Sequence, residues 1–343
     1  MKHGLQWLGG LALLLLLSSL RHYDMAAVVP TTSSLRSTIP PSLQAYVNKV
    51  QRANTYLECA TARNGSWVPM APGTTLPRWN CTSAPEACPN IDHSITAKEV
   101  KHRGLFYMWK PPASADCNDL ASFTRARFCQ VLNGRMLYLM GDSTMEEFYG
   151  NLRYLFEEHM TSPTRMRRIT LTCPKPFPNF ILDLNRANHL LTKVENAMGV
   201  TNHTVFVANK GAHFVTTPQL LTDVRLVMHD LFRDYSSATI VWRSTAAGLG
   251  DYPNVHLPLL VPPPFINLTF PLALNHSWHQ VEEQNLAVKT VLNNEYPTVL
   301  YMDVFPMDAL RVDGRRNGIN FCVPSQRMEW VTLLMNLLIQ VDK

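Results

Sequence analysis

The chain has 343 residues, of which 46% are hydrophobic and 17% charged, and its net charge is +5. This length holds one large domain or two small ones with an ample core. The composition excludes a collagen, a coiled coil and a fully disordered chain, and a single long apolar run excludes a multi-pass membrane protein. The positive charge is mild and scattered, so we expect no nucleic-acid partner.

The N-terminus carries an apolar run that is typical of export signals. Residues 7–20 read WLGGLALLLLLSSL and follow Lys2 and His3. The run is shorter than the about 20 residues of a typical membrane span and close to the core of a signal peptide. No small-x-small cleavage site follows directly, so an uncleaved anchor is favoured, and a cleaved signal stays open. We therefore predict a signal anchor or signal peptide over residues 1–22 and a Ser/Thr/Pro-rich stem over 23–45.

Glycosylation sequons and cysteines support a place in the secretory pathway, with the Golgi membrane favoured over secretion. The five sequons begin at Asn64, Asn80, Asn202, Asn267 and Asn275. The seven cysteines show no C-x-x-C or Cys/His ladder, so we expect no metal site. An oxidising lumen would allow up to three disulfides of undetermined connectivity and one free thiol. Five of the cysteines precede residue 130, which predicts a disulfide-stapled, loop-rich N-terminal segment.

From residue 131 onward, apolar runs alternate with segments of helical periodicity. The pattern predicts strands over 135–140, 205–208, 239–242 and 298–304, and helices over 144–160, 219–235, 278–296 and 328–341. Alternation of strand and helix indicates a mostly parallel sheet with helices on both sides. We therefore expect a single lumenal α/β domain over residues 46–343.

The tripeptide Gly141-Asp142-Ser143 falls between the first of these strands and the following helix. A serine at such a turn lies at the carboxyl edge of a parallel sheet, where open α/β folds bind ligands. The amides of the helix N-terminus could stabilise a developing oxyanion. This pattern favours Ser143 as a nucleophile, with Gly141 and Asp142 shaping its surroundings. The alternative is that Asp142 or Ser143 only caps the helix.

Two further strand ends carry candidate binding groups. Asn209, Gly211 and His213 follow the second strand, where amide groups could complete an oxyanion hole; a plain Asn/Gly turn is the alternative. Arg243 ends the third strand and could bind an acyl carbonyl, a carboxylate or a glycan. Its alternative role is a structural salt bridge.

Several motifs in this order resemble the PC-esterase family of the SGNH/GDSL-like superfamily, which includes trichome-birefringence-like polysaccharide O-acetyltransferases. The motifs are Gly65-Ser-Trp67-Val, Tyr107-Met-Trp109-Lys-Pro, Cys117-Asn-Asp-Leu, Gly-Asp-Ser143, Asn209-x-Gly-x-His213, Arg243 and Asn317-Gly-Ile-Asn320-Phe-Cys-Val-Pro before Trp330. The resemblance covers roughly residues 56–341. It implies an SGNH/GDSL-like three-layer sandwich with a central, mostly parallel sheet and a cysteine-containing N-terminal segment.

The resemblance also implies a chemistry and shows where this chain departs from it. Ser143 matches the family's catalytic serine, whereas Asn317 and Asn320 stand where the family has an Asp-x-x-His pair. Glu146 stands where plant members carry an arginine. Asparagine cannot take a proton from serine, so proton transfer would need a base elsewhere, such as His213, His229 or His256.

These observations predict an O-acyl (acetyl) transferase or esterase-like protein that acts on glycans or polysaccharides through Ser143. No resident cofactor is implied, only an acyl donor, derived from acetyl-CoA if the protein is active. The alternative is a catalytically inactive relative that binds a glycan or a protein partner. A structural glycoprotein, in which Ser143 only caps a helix, is the third possibility.

Overall fold

The computed structural model describes residues 40–69, 107–114, 117, 120–156, 168–171, 177–183, 200–213, 216–248, 278–310, 319 and 326–343. The chain divides into two compact units, Met1–Leu43 and Gln44–Lys343. The first unit is described only from residue 40 onward, and the second holds the sheet and the candidate site.

The N-terminal part of the chain opens with a long helix that the sequence pattern did not predict. Helix α1 spans Pro41–Thr61 and therefore runs through the boundary expected at residue 45. A small antiparallel ribbon follows, made of β1 (Ser66–Pro69) and β2 (Tyr107–Lys110). A disulfide joins Cys59 to Cys117, which agrees with the prediction of a stapled N-terminal segment.

The central sheet has six strands within the described ranges. They are β3 (Met136–Gly141), β4 (Arg168–Leu171), β5 (Phe177–Asp183), β6 (Thr204–Ala208), β7 (Thr239–Arg243) and β8 (Leu300–Met302). Their spatial order is β4-β5-β3-β6-β7-β8. Four successive parallel pairings join β5, β3, β6, β7 and β8, and β4 pairs with β5 in the antiparallel sense.

The remaining described helices flank this sheet. They are α2 (Arg125–Leu132), α3 (Ser143–Leu155), α4 (Thr217–Asp234), α5 (Val281–Glu295), α6 (Phe305–Ala309) and α7 (Glu329–Asp342). Short 3-10 turns over Trp278–Gln280 and Gln326–Met328 lead into α5 and α7.

Alternate side chains of the central strands point into two separate cores. On one face, Leu137 and Leu139 pack in a cluster with buried residues of α1, α2, α3 and α7. On the other face, Tyr138 and Met140 pack with buried residues of α4 and α5. A sheet buried on both faces explains why its strands read as continuous apolar runs rather than alternating ones.

The expected mixed α/β fold with helices on both sides of the sheet is confirmed. The strands predicted over 135–140, 205–208 and 239–242 are correct to within one residue at each end, and the fourth strand is shorter than expected. None of the helices in the described ranges is long and apolar enough to cross a membrane. The anchor or signal predicted over residues 1–22 lies outside those ranges.

An amide side chain of α1 covers the outermost described strand of the sheet. Asn54 donates from Nδ2 to the carbonyl oxygen of Val299 at 3.3 Å. Its Oδ1 accepts a hydrogen bond from the backbone N–H of Tyr301 at 2.8 Å. The side chain thus takes the place of a further strand along β8.

The strand order creates a crevice between β3 and β6. Along the chain the parallel strands are β3, β5, β6, β7 and β8, yet β5 and β6 lie on opposite sides of β3. The chain therefore passes from β3 to β5 on one side and then crosses back to β6 on the other side. Doubly wound sheets bind ligands at such a switch point, outside the carboxyl ends of the two strands.

Candidate functional site

The turn that carries Ser143 lies at this switch point. Strand β3 ends at Gly141, and Ser143 is the first residue of α3, where it is half-buried. A Cβ at Gly141 would lie 2.9 Å from the carbonyl oxygen of Asn209 and 3.0 Å from Cβ of Met145. Glycine is therefore required by the close approach of the β6 end.

The helix cap is provided by Asp142. Its Oδ1 accepts a hydrogen bond from the backbone N–H of Thr144 at 3.0 Å, within the first turn of α3. Of the two residues that could have capped this helix, the structure thus gives the role to the aspartate. This cap is what the capping alternative expected of Asp142, and the nucleophile role of Ser143 stays a prediction.

The same carboxylate fastens the Ser143 turn to the segment after β6. Asp142 Oδ2 accepts from the backbone N–H of Ala212 at 3.1 Å, and its Oδ1 accepts from the Thr144 hydroxyl at 2.6 Å. Asp142 is buried, so these bonds are shielded from water. Asp142 thus ties together the two strand ends that form the crevice.

Thr144 connects this turn to β7 through a buried arginine. Nη2 of Arg243 donates to the Thr144 hydroxyl at 2.6 Å, and Nη1 donates to the carbonyl oxygen of Ser244 at 2.9 Å. Asn209 donates from Nδ2 to the carbonyl oxygen of Arg243 at 3.2 Å, and its Oδ1 lies 3.4 Å from the same hydroxyl. Asn209, Thr144 and Arg243 are each fully buried. An incoming substrate could reach these side chains only if a neighbour moved.

Two guanidinium groups lie close to the indole ring of Trp330. Arg243 is 4.4 Å and Arg327 4.5 Å from the centre of its ring. Burial lowers the pKa of Arg243 to about 10; nearby Asp142 opposes this shift and Arg327 adds to it. The side chain therefore remains a cation at neutral pH. The expected site arginine is thus a charged group inside the protein, stacked on an aromatic face.

The guanidinium group of Arg327 contacts three separate parts of the chain. Its Nε donates to Asp308 Oδ2 at 3.2 Å, its Nη1 pairs with Glu147 on α3, and its Nη2 donates to the carbonyl oxygen of Ile319 at 2.8 Å. The indole Nε1 of Trp330 donates to the other oxygen of Asp308 at 3.2 Å. Glu147, Asp308, Arg327 and Trp330 thus form a buried charged cluster, which includes one residue of the helix that begins at Ser143.

The other predicted site residues are placed less centrally. Gly211 packs against Thr245, whose Oγ1 would lie 1.9 Å from a Cβ at that position. His213 is exposed in the segment after β6. Asn317 and Asn320 lie outside the described residues, so the structure says nothing of their geometry. Of the alternative bases, His229 is exposed on α4 and His256 is outside the described residues.

Glu146 lies in the first turn of α3. The positive end of the helix dipole favours an acidic side chain there, which gives Glu146 a structural reason to be acidic. Its negative charge nevertheless lies close to the residue expected to act as nucleophile. No group of three or more His, Cys, Asp or Glu side chains that could hold a metal ion occurs within the described ranges.

Two of the five sequons can be placed. Asn64 lies in the turn between α1 and β1, and Asn202 in the turn before β6; both are exposed. The Oδ1 of Asn202 accepts from the backbone N–H of Ser237 at 3.2 Å, which leaves its amide nitrogen as the point of attachment. Asn80, Asn267 and Asn275 lie outside the described residues.

Sequence reasoning missed most of the buried cluster. Thr144, Glu147, Asp308 and Arg327 carry no motif that would distinguish them from ordinary polar residues. Glu147 and Arg327 are 180 positions apart, and only the fold brings them together. The one available signal was Trp330, which belongs to the motif pattern of the resemblance.

No family model matches the sequence, and no curated protein matches it at a significant level. Solved structures similar to this chain include a protein from Streptococcus pneumonia that is described, provisionally, as a platelet activating factor. The two share 14% sequence identity with a TM-score of 0.38, and the likeness covers 60% of this chain and 87% of that chain. At this identity and TM-score the likeness carries no argument about chemistry.

Proposed function

We propose that the chain is a glycoprotein of the secretory pathway with an SGNH-type acyl-ester site, at which Ser143 occupies the nucleophile position. The observation that carries the proposal is the place of Ser143. It is a half-buried serine at the start of α3, in the crevice where the strand order reverses, and Asp142 caps its helix.

The reaction class follows from this position. The Ser143 oxygen would attack the carbonyl carbon of an acyl ester, and the bond to the leaving alcohol would break as the acyl group moves to serine. A hydroxyl of a glycan, or water, would then take the acyl group and restore the serine. The positive end of α3 favours the negative oxygen formed in each step. Acetyl transfer to or from a polysaccharide is the case that the sequence resemblance favours.

The buried residues have a supporting part in this proposal. Asn209 and Arg243 were expected to bind the oxyanion or the substrate, but both are fully buried and bonded to protein groups. We therefore assign them to holding the site together. Asp142 has the same role, because both of its oxygens accept protein hydrogen bonds.

Proton transfer is the weak point of the proposed site. The serine proton needs a base, and the chain has Asn317 and Asn320 where the resembling family has aspartate and histidine. Neither amide can accept the proton at neutral pH, and a missing general base typically lowers a rate by about 10²–10⁴-fold. We therefore expect native activity to be low.

This deficiency favours a second candidate function. A chain that keeps the crevice but lacks the base could bind a glycan or a protein partner without transforming it. The observation in favour is the pair of asparagines itself. Binding of acetylated and deacetylated glycans to the native protein, with Ser143→Trp as a variant that fills the crevice, would measure it.

A serine-reactive fluorophosphonate tests the primary proposal. The full chain, produced in a secretory host, is treated with the probe, and the modified peptide is identified by mass spectrometry. Labelling at Ser143 that disappears in Ser143→Ala supports the acyl-ester site. Absence of labelling in folded protein, both in the native chain and in Asn317→Asp with Asn320→His, contradicts the nucleophile role and favours the binding function.

A further inference from the structure

We propose that Thr144 and Arg243 are positioning residues for Ser143, acting through the buried hydrogen bond between the Thr144 hydroxyl and the Arg243 guanidinium. The inference rests on the proposed role of Ser143. It goes beyond that role because neither residue touches the reacting atoms. Both act through Asp142 and the turn that presents the serine.

The Thr144 hydroxyl is the middle member of a chain of hydrogen bonds. It accepts from Arg243 Nη2 at 2.6 Å and donates to Asp142 Oδ1 at 2.6 Å. A valine of the same shape could do neither. The short distances and complete burial give this chain a fixed geometry, in which β7 holds the turn between β3 and α3.

Arginine suits this position because three of its properties are used together. Two nitrogens of its planar fork donate to different acceptors, the Thr144 hydroxyl and the Ser244 carbonyl oxygen, and its Cζ lies 4.4 Å from the centre of the Trp330 ring. A lysine could offer the charge but not the fork or the stacked plane. Arg243 Nε has no hydrogen-bond partner among the described residues. A buried cation with an unsatisfied donor is poorly explained by stability alone.

The cation also balances the carboxylate next to Ser143. Asp142 is adjacent to the serine. The hydrogen bond from Thr144 and the positive charge of Arg243 offset the negative field that Asp142 exerts at position 143. Without this link the field of Asp142 at position 143 would be less compensated, and a negative charge forming there would be disfavoured. Among the described residues, the charged groups linked to this turn are Asp142, Glu146, Glu147, Arg243, Asp308 and Arg327. The segment after β6, which also bonds to Asp142, adds Lys210, paired with Asp223, and the exposed His213.

A thiol at position 143 reports on this field without requiring catalysis. The full chain carrying Ser143→Cys is alkylated with iodoacetamide from pH 6 to 10, and the rate is followed at the peptide that contains position 143. Adding Thr144→Val should raise the thiol pKa by about one unit and slow alkylation at pH 7 about tenfold. Adding Thr144→Ser, which keeps the hydroxyl, should leave the rate within about twofold.

Two further variants separate positioning from loosened structure. Val288→Ala removes core volume on α5, in the core on the opposite face of the sheet, and should lower the melting temperature without changing the alkylation profile. Arg243→Lys keeps the charge and loses the fork, and it should slow alkylation several-fold even if Thr144→Val folds poorly.

The proposal is overturned if Thr144→Val and Arg243→Lys leave the alkylation rate and its pH midpoint unchanged. It is also overturned if Thr144→Ser or Val288→Ala slows alkylation as much as Thr144→Val. Alkylation needs neither a general base nor an acyl substrate. A chain that fails to react with fluorophosphonate even with Asn317→Asp and Asn320→His would therefore refute the proposed function while leaving this measurement valid.

Discussion

Arg327 donates from Nη2 to the carbonyl oxygen of Ile319 at 2.8 Å, and Nη1 of the same guanidinium pairs with Glu147, one turn beyond Ser143 on α3. Ile319 is buried and lies in the sequence between Asn317 and Asn320. One residue of the segment with the two asparagines is thus linked through Arg327 to the helix that begins with Ser143. The register in which the asparagines replace an acid–base pair stays a prediction, since Asn317 and Asn320 lie outside the described residues.

Restoring that pair should increase activity. We expect Asn317→Asp with Asn320→His to raise hydrolysis of an activated acetyl ester by about 10²-fold or more, because a general base and the group that orients it are returned. Initial rates with p-nitrophenyl acetate measure the gain. Ser143→Ala in the same background should remove it.

Two outcomes would contradict this register. A native protein that already turns over acetyl esters efficiently, with no change in Asn320→Ala, would place the base elsewhere, with His213 as the first residue to replace. A well-folded double variant with no gain would show that the asparagines do not face the serine.

The buried charges behind α3 should matter more for stability than exposed ones. Asp308→Asn leaves the charge of Arg327 with one fewer carboxylate, so we expect a loss of about 3 kcal/mol in the free energy of unfolding. Asp230→Asn is the matched control, since Asp230 pairs with Arg233 on the exposed surface of α4. That control should lose less than about 1 kcal/mol in urea unfolding. Equal losses would mean that the buried ion pair contributes no more to the free energy of unfolding than the exposed pair does.

The disulfide of the N-terminal segment should contribute a comparable amount. Cys59 and Cys117 are 58 positions apart, and closing a loop of that length is worth about 4 kcal/mol in the chain-entropy model. We expect Cys59→Ala with Cys117→Ala to lose about 2–5 kcal/mol in denaturant unfolding. A loss below about 1 kcal/mol would indicate that the unfolded chain is restricted to the same extent with and without the disulfide.

The predictable part of the fold is the part in which local pattern and tertiary role agree. Strands β3, β6 and β7 are short apolar runs that end at polar turns, so burial on both faces is visible in the sequence. The position of Ser143 at a strand-to-helix turn could be predicted for the same reason. It follows a buried strand directly and begins a helix with a regular apolar stripe.

The parts that escaped prediction have weak or contrary local signals. The buried stripe of α1 includes the small Ala53 and the polar Asn54, which blur its helical period. Strand β5 contains Pro178, a residue that argues against a strand, and here it pairs only with β4, outside the described register with β3. The role of Arg243 could not be read from sequence because it depends on Thr144 and Trp330, which are far away in the chain.

The carboxyl of Glu329 should make stability depend on pH. Burial raises its pKa to about 7, although hydrogen bonds from Thr332 and the Trp109 backbone oppose the shift. Between its ordinary value and pH 7, the folded chain keeps a proton that the unfolded chain has released. This group therefore lowers stability as the pH rises from about 4.5 to 7.

Glu329→Gln removes that titration and keeps an acceptor for the Trp109 N–H. The variant should gain stability relative to the native chain as the pH rises from 5 to 8, by about 1–3 kcal/mol after allowance for its partial exposure. Urea unfolding at several pH values measures the difference. A gain that is independent of pH would show that the carboxyl is not the titrating group.

The two exposed sequons should carry glycans if the chain enters the secretory pathway. We expect Asn64→Gln and Asn202→Gln each to remove one endoglycosidase-sensitive mobility step from protein made in a secretory host. Asn48→Gln, at an asparagine outside any sequon, is the control. Unchanged mobility after glycosidase treatment, together with full protease sensitivity in intact microsomes, would contradict the lumenal location.

The bonds from Asn54 to the β8 backbone have a consequence for shortened chains. A chain that begins after residue 61 would leave the Val299 carbonyl and the Tyr301 N–H open to other molecules. Such a chain would also lose Val50, Ala53 and Leu57 from the core. Because exposed strand edges recruit further strands, we expect it to self-associate by β-sheet pairing. We therefore expect α1 to limit aggregation at this edge. Asn54→Ala, which keeps the apolar side chains of α1, should reproduce part of that tendency in the full chain.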